Sequence, residues 1–155
     1  NRRGIHRVIA LAFIGICFLL YPLERFIVTE GERVQLRVEQ LCYDFRDKKD
    51  ILGYVSDTRE DLKRLFEEAG HLITIQSDLR LSDFNTRIMN EGQRATVHFR
   101  ANATVNVRDA GDVGYQPARL ILTLEREKGE WKIIEVERLN PINGKRMGTL
   151  EQSPG

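Results

Sequence analysis

Two cysteines and three histidines stand among the 155 residues, and nucleophilic, redox or metal chemistry would have to start from them. Cys17 lies inside an apolar run and Cys42 in a stretch with helical periodicity, so the two thiols occupy different environments. They form neither a disulfide framework nor a paired redox motif. No set of His, Cys, Asp and Glu has the spacing of a metal site. His6 flanks the apolar run, and His71 falls at a helix end, where imidazole commonly faces the last carbonyls. His98 sits on the polar row of a strand with no carboxylate in register. Asp109 and Asp112 flank glycine in a segment too short for a calcium loop and are turn formers. Asn102-Ala103-Thr104 matches a glycosylation sequon in form, but in mid-strand. The chain is therefore expected to have no catalytic residue, no metal and no cofactor.

The elements that would position any site change character part-way along the chain. Thr29 followed by Glu32 is a capping-box pattern, and behind it Val34, Val38, Leu41, Cys42 and Phe45 repeat as the apolar stripe of a helix. Ile51 to Val55 predicts a short second helix. Thr58 is placed to cap a third, with Leu62, Leu65, Phe66 and Ala69 apolar and Gly70 as its stop. After His71 the period shortens to two. Ile73 to Gln76 and Leu79 to Asn90 predict short or bent strands, with a turn at Glu91-Gly92.

The clearest strand is Gln93 to Val107. Ala95, Val97, Phe99, Ala101, Ala103, Val105 and Val107 alternate there with Thr96, His98, Arg100, Asn102, Thr104 and Asn106, which predicts one buried and one polar face. A turn-rich stretch from Asp109 to Gly114 leads to a strand marked by Ala118, Leu120, Leu122 and Leu124. Lys128-Gly129 then turns the chain into Trp131 to Arg138, where Trp131 is expected to pack in the core. The reading is an α+β domain over 29–141, helices on one face of an antiparallel sheet, with a C-terminal tail at 142–155.

Lysine and arginine number 24 against 23 acidic residues. Four of the basic residues, Arg2, Arg3, Arg7 and Arg25, lie in the first 28 with only Glu24 opposing them, so the remainder is slightly acidic. Nucleic acid is excluded as a partner, because displacing counterions from phosphates needs a basic patch and no basic run occurs. From Val8 to Tyr21 no charged residue appears, and Val8, Leu11, Phe13, Ile16, Phe18 and Tyr21 are expected to form the apolar body of a membrane anchor over 1–28. A cleaved signal peptide would need small residues where Leu19, Leu20, Tyr21 and Pro22 stand. The arginines ahead of the run place the N-terminus in the cytoplasm and the domain outside it.

Three helices, long bent strands and the closing hairpin LILTLEREKGEWKIIEVERLNP together resemble the nuclear-transport-factor-2-like superfamily, over Thr29 to Pro141. Its most characteristic local feature is Gly129-Glu130-Trp131-Lys132-Ile133-Ile134. The resemblance implies three helices on a curved sheet forming a cone with an apolar cavity. It also implies a single-pass protein of a bacterial inner membrane with a periplasmic domain. The cavity walls would be drawn from Val38, Cys42, Tyr54, Phe66, Val97, Phe99, Ala101, Ala103, Leu122 and Trp131. The polar row Thr96, His98, Arg100, Asn102, Thr104 and Asn106 would be a docking face for a protein partner, a membrane complex or a second copy. Ketosteroid-isomerase-like members need a carboxylate base and hydroxyl donors pointing inward. The inward strand rows here carry no ionisable group; Tyr43 and Tyr54, with Asp44, Asp47 and Asp50, could only approach the cavity or its mouth. The expected role is an anchored, non-catalytic accessory or assembly domain, with a binding module for a small apolar ligand as the alternative and a proton-transfer enzyme behind it.

Overall fold

A computed structural model describes residues 29–147. Helix α1 spans Glu30–Arg46 and α2 Glu60–Leu72, with a 3-10 turn at Leu52–Tyr54 between them. Five strands follow: β1 Ile73–Ile75, β2 Arg80–Met89, β3 Arg94–Val107, β4 Gly111–Glu127 and β5 Glu130–Leu139. The start of α1 follows from its capping box. The Thr29 hydroxyl accepts the Glu32 N–H at 3.2 Å and the Glu32 carboxylate accepts the Thr29 N–H at 2.9 Å, so two orphan donors are satisfied reciprocally. Val34, Val38 and Leu41 then fall on one face and are buried.

All strand pairs are antiparallel, in the order β1-β3-β4-β5, with β2 also on β3. β3 is long enough to pair β4 along one edge while β2 and β1 lie end to end on the other. The gap between those two short strands is closed by Asp78, whose carboxylate accepts the Thr104 N–H at 3.0 Å and the Thr104 hydroxyl at 2.6 Å. An extra residue between Ser82 and Asn85 bends β2, with Asp83 at φ 56°. Because that bulge lies on β2, the alternation of β3 runs unbroken from Ala95 to Ala103, and Ala95, Val97, Phe99 and Ala103 are buried. Val34, Val38, Val55, Val97, Leu124 and Ile133, all nearly inaccessible, form the tightest part of the core between α1 and the sheet.

Several expectations are corrected here. The domain is predominantly antiparallel sheet with two α-helices, not three helices on a curved sheet. Ile51 to Val55 makes no α-helix, only a short 3-10 helix at Leu52–Tyr54: Asp50 accepts the Leu52 N–H at 3.0 Å ahead of it, and Val55 joins the edge of β5 in a parallel bridge to Ile133. No helix among the described residues is long and apolar enough to cross a membrane. The expected anchor, with Val8, Leu11, Phe13, Ile16, Phe18 and Tyr21, lies outside the described residues. The single-pass inner-membrane location, the cytoplasmic N-terminus with a periplasmic domain, and the membrane partner all require a membrane-spanning helix, and no described helix supports them. Of the expected tail, residues up to 147 fold back on β5, where Leu139 bridges Arg146 and the Asn140 N–H donates to the Lys145 carbonyl at 2.8 Å.

Candidate functional site: an apolar cavity between helices and sheet

The core is solid at one end and hollow at the other. Around Val34 and Val38 the helix stripe packs with Val97, Leu124 and Ile133 of the sheet, all nearly inaccessible. One helical turn further, Leu41, Cys42 and Phe45 of α1 face Ala101 of β3, whose partner across to β4 is Ala118. The short Ala101 side chain leaves the sheet surface low on the cavity wall, and α2 closes over it with Leu65, Phe66 and Ala69. Phe99, Leu120, Leu122 and Val136 complete the sheet side, and Ile73, Ile75 and Leu79 the end. They line a half-open cavity of about 290 Å³, the lower limit of small-molecule sites. Phe99 is braced from behind by Phe84, whose ring stacks on it at 5.4 Å between centroids.

Cys42 is the one residue of this wall with a titratable side chain. Burial pushes its thiol up to about 12, helped by the nearby Glu39 carboxylate. It is thus a neutral, weakly polar wall group near neutral pH, since the thiolate is the nucleophile.

The strongest polar cluster lies beside the cavity and does not contribute to its wall. The Tyr54 hydroxyl donates to Asp44 at 2.6 Å, Gln40 donates to the same carboxylate at 2.8 Å, and Lys49 stands 3.4 Å away. The Arg37 guanidinium covers the Tyr54 ring at 4.2 Å from its centroid. The Tyr54 hydrogen bond, opposed by burial and supported by Gln40 and Lys49, holds Asp44 below the usual carboxylate range. Burial first, and Asp44 second, push Tyr54 up to about 12. At neutral pH the carboxylate is therefore ionised and the phenol protonated, and neither is matched to proton transfer near pH 7. The cluster ties α1 to the 3-10 turn. Ser56 does the same for the next segment: it is fully buried, its N–H donates to the Ile133 carbonyl at 2.9 Å, and its hydroxyl donates to Glu127.

Of the wall expected from sequence, Cys42, Phe66, Phe99, Ala101 and Leu122 line the cavity. Val38, Tyr54, Val97, Ala103 and Trp131 are buried in the core outside that wall. Leu65, Ala69, Val136 and the β1 isoleucines are wall residues that the sequence reading did not single out; the alternation of β1 and the stripe of α2 were the available signals. On the opposite face of β3, His98 is exposed and Arg100 stands 3.7 Å from Asp83. Thr96 and Asn102 share that face half-buried, Thr104 is engaged by Asp78, and Asn106 lies past a register shift at the β1 end. Asp47 is paired with Arg46 at 2.8 Å, and Tyr43 is partly exposed under the same guanidinium. Among the described residues no group of three His, Cys, Asp or Glu is arranged to hold a metal ion.

The chain is similar in fold to the intermembrane space region of the chloroplast protein ARC6, with a TM-score of 0.52 at 16% identity over 73% of this chain and 98% of that one. A SEC-C motif-containing protein from Rhodopseudomonas palustris matches at a TM-score of 0.46 and 20% identity, over 76% of this chain and 86% of that one. No family model and no curated protein matches the sequence. At these identities the likeness concerns the fold alone. Neither protein is described by the name of the nuclear-transport-factor-2-like superfamily, and that kinship remains an expectation drawn from the sequence pattern.

Proposed function

We propose that the domain is a non-catalytic binding module that takes a small apolar ligand, or the apolar part of a larger one, into the cavity between its two helices and the sheet. The supporting observation is a wall built from aliphatic and aromatic side chains plus one protonated thiol. Such a wall gains free energy from any apolar occupant that shields it from water and offers nothing to abstract or donate a proton. The accessory role expected from sequence would use the polar face around His98 and Arg100 to dock a protein partner. It ranks second, because the cavity is the more specific feature.

Mass spectrometry of the full chain under non-denaturing conditions, before and after addition of straight-chain alcohols, tests the reading. A small molecule retained by the native chain and released on unfolding is the expected result. Failure of every alcohol to bind or to raise the melting temperature would remove the proposal.

A further inference from the structure

The cavity adjoins a cleft of mixed charge, which in turn adjoins a cationic recess. Phe45 and Phe66 of its wall are also wall residues of an adjoining cleft of about 360 Å³, whose other residues include Lys48, Lys49, Asp50, Glu67 and His71. That cleft in turn shares Lys48, Gly70 and His71 with a recess of about 350 Å³, completed by Leu72, Thr74, Asn106 and Arg108. The recess has two permanent cations and one imidazole on its wall and no carboxylate.

The intermediate cleft carries charges of both signs. Lys49 is paired with Asp44 at 3.4 Å, the Asp50 carboxylate accepts the Leu52 N–H at 3.0 Å, and Glu67 is exposed. Lys48 differs from these. It sits at φ 59°, in the left-handed region that favours glycine. Its ammonium is held against the end of α2 by donating to the Gly70 carbonyl at 2.7 Å and to the Ile73 carbonyl. An ammonium has three N–H groups, so one remains for an occupant of the cleft. Arg108 and His71 are exposed, and no ion pair among the described residues uses either.

We propose that the ligand is an amphiphile whose aliphatic chain fills the cavity and whose anionic head lies at Lys48, His71 and Arg108. This rests on the reading of the cavity as a ligand site and adds the chemical class of the ligand. The size follows from comparison: an apolar cavity of ~150 Å³ holds a six-carbon ring, so about 290 Å³ admits a chain of roughly 8 to 12 carbons.

The test compares three probes with the same tail on the full chain by calorimetry, below their micelle concentrations: decanoate, decanol and decyltrimethylammonium. Decanoate is expected to bind about tenfold more tightly than decanol, the effect of one charge-assisted hydrogen bond, with the cation weakest. The double variant His71→Gln, Arg108→Gln, both exposed and outside the core, should narrow that gap while decanol affinity stays unchanged. Lys48→Gln should narrow it further, read only if the variant melts cooperatively. Equal binding of decanoate and decanol, tighter binding of the cation, or a gap that survives the double variant would overturn the amphiphile and leave the apolar cavity standing. Binding of none of the three would remove both readings.

Discussion

Replacing Ala101 by leucine should make the protein more stable while shortening the longest aliphatic chain the cavity admits. Ala101 sits between Leu81 of β2 and Ala118 of β4 with its side chain on the cavity wall. Leucine adds three carbons, and each buried methylene contributes ~0.8 kcal/mol, so the gross gain is ~2.4 kcal/mol. Immobilising the longer side chain takes back ~0.5–1 kcal/mol, which leaves ~1.5–2 kcal/mol. A volume argument gives the same scale: three carbons occupy ~80 Å³, near the volume share of three waters, and cavity volume costs ~24 cal/mol per Å³, or ~2 kcal/mol. Urea denaturation should show a higher midpoint at an unchanged slope. The opposite sign would be just as clear. Inserting the same carbons into a filled core costs ~1–3 kcal/mol. A destabilised Ala101→Leu with wild-type cooperativity would therefore mean that the space is not there, and the reasoning about Ala101 would fail.

Further outcomes follow from the same geometry. Phe99→Ala, which removes a buried ring stacked on Phe84, should cost ~3–5 kcal/mol, whereas Asn102→Ala on the opposite face should stay within ~0.5 kcal/mol; denaturation of both variants checks the register of β3. With Cys17→Ser as background, the half-buried Cys42, raised to about 12, should be alkylated at pH 8 roughly 10³-fold more slowly than a free thiol, and fast alkylation would contradict a protonated wall thiol. Asp44 is depressed in the fold, so its contribution is present above the ordinary carboxylate range and is lost as pH falls through its folded value. Tyr54 is raised to about 12, so its contribution holds below ~10 and is lost as pH rises toward 12. Tyr54→Phe should flatten both limbs of the stability profile measured by urea titration, and unchanged limbs would show that the pair is not coupled to folding.

The start of α1 was legible because its signal is local: the reciprocal Thr29 and Glu32 bonds need only residues three apart. The faces of β3 were legible for a related reason, since the extra residue that bends the sheet was taken up by β2 and left the β3 alternation intact. The misreadings involve distant partners. Thr58 has the chemistry of a cap, but its hydroxyl is engaged by Ser56 at 2.9 Å, and α2 starts after Arg59. Arg59 in turn reaches the Ile134 carbonyl of β5. Gly70 does not stop α2, which runs on to Leu72 until Ile73 pairs with Val107. Asp109 to Gly114 has the composition of a turn, yet β4 already begins at Gly111, where Gly111 and Gly114 take positive φ and let the chain bend while still paired to β3. The cavity depends on how far α1 and α2 stand off the sheet at Ala101, and no periodicity records an offset between elements. Apolar stripes alone cannot separate Val38 and Val97, which pack solidly, from Cys42 and Ala101, which face the hollow.

The central claim is that the hollow between helices and sheet receives an apolar ligand, and methyl-resolved NMR of the full chain titrated with decanol tests it most directly. Saturable shifts at Leu65, Leu120, Leu122 and Val136, all cavity wall residues, with Val34 and Val38 unmoved in the solid core, are predicted. Shifts confined to the opposite face around Thr96 and Thr104, or none at the wall methyls up to the solubility of the alcohol, would contradict it.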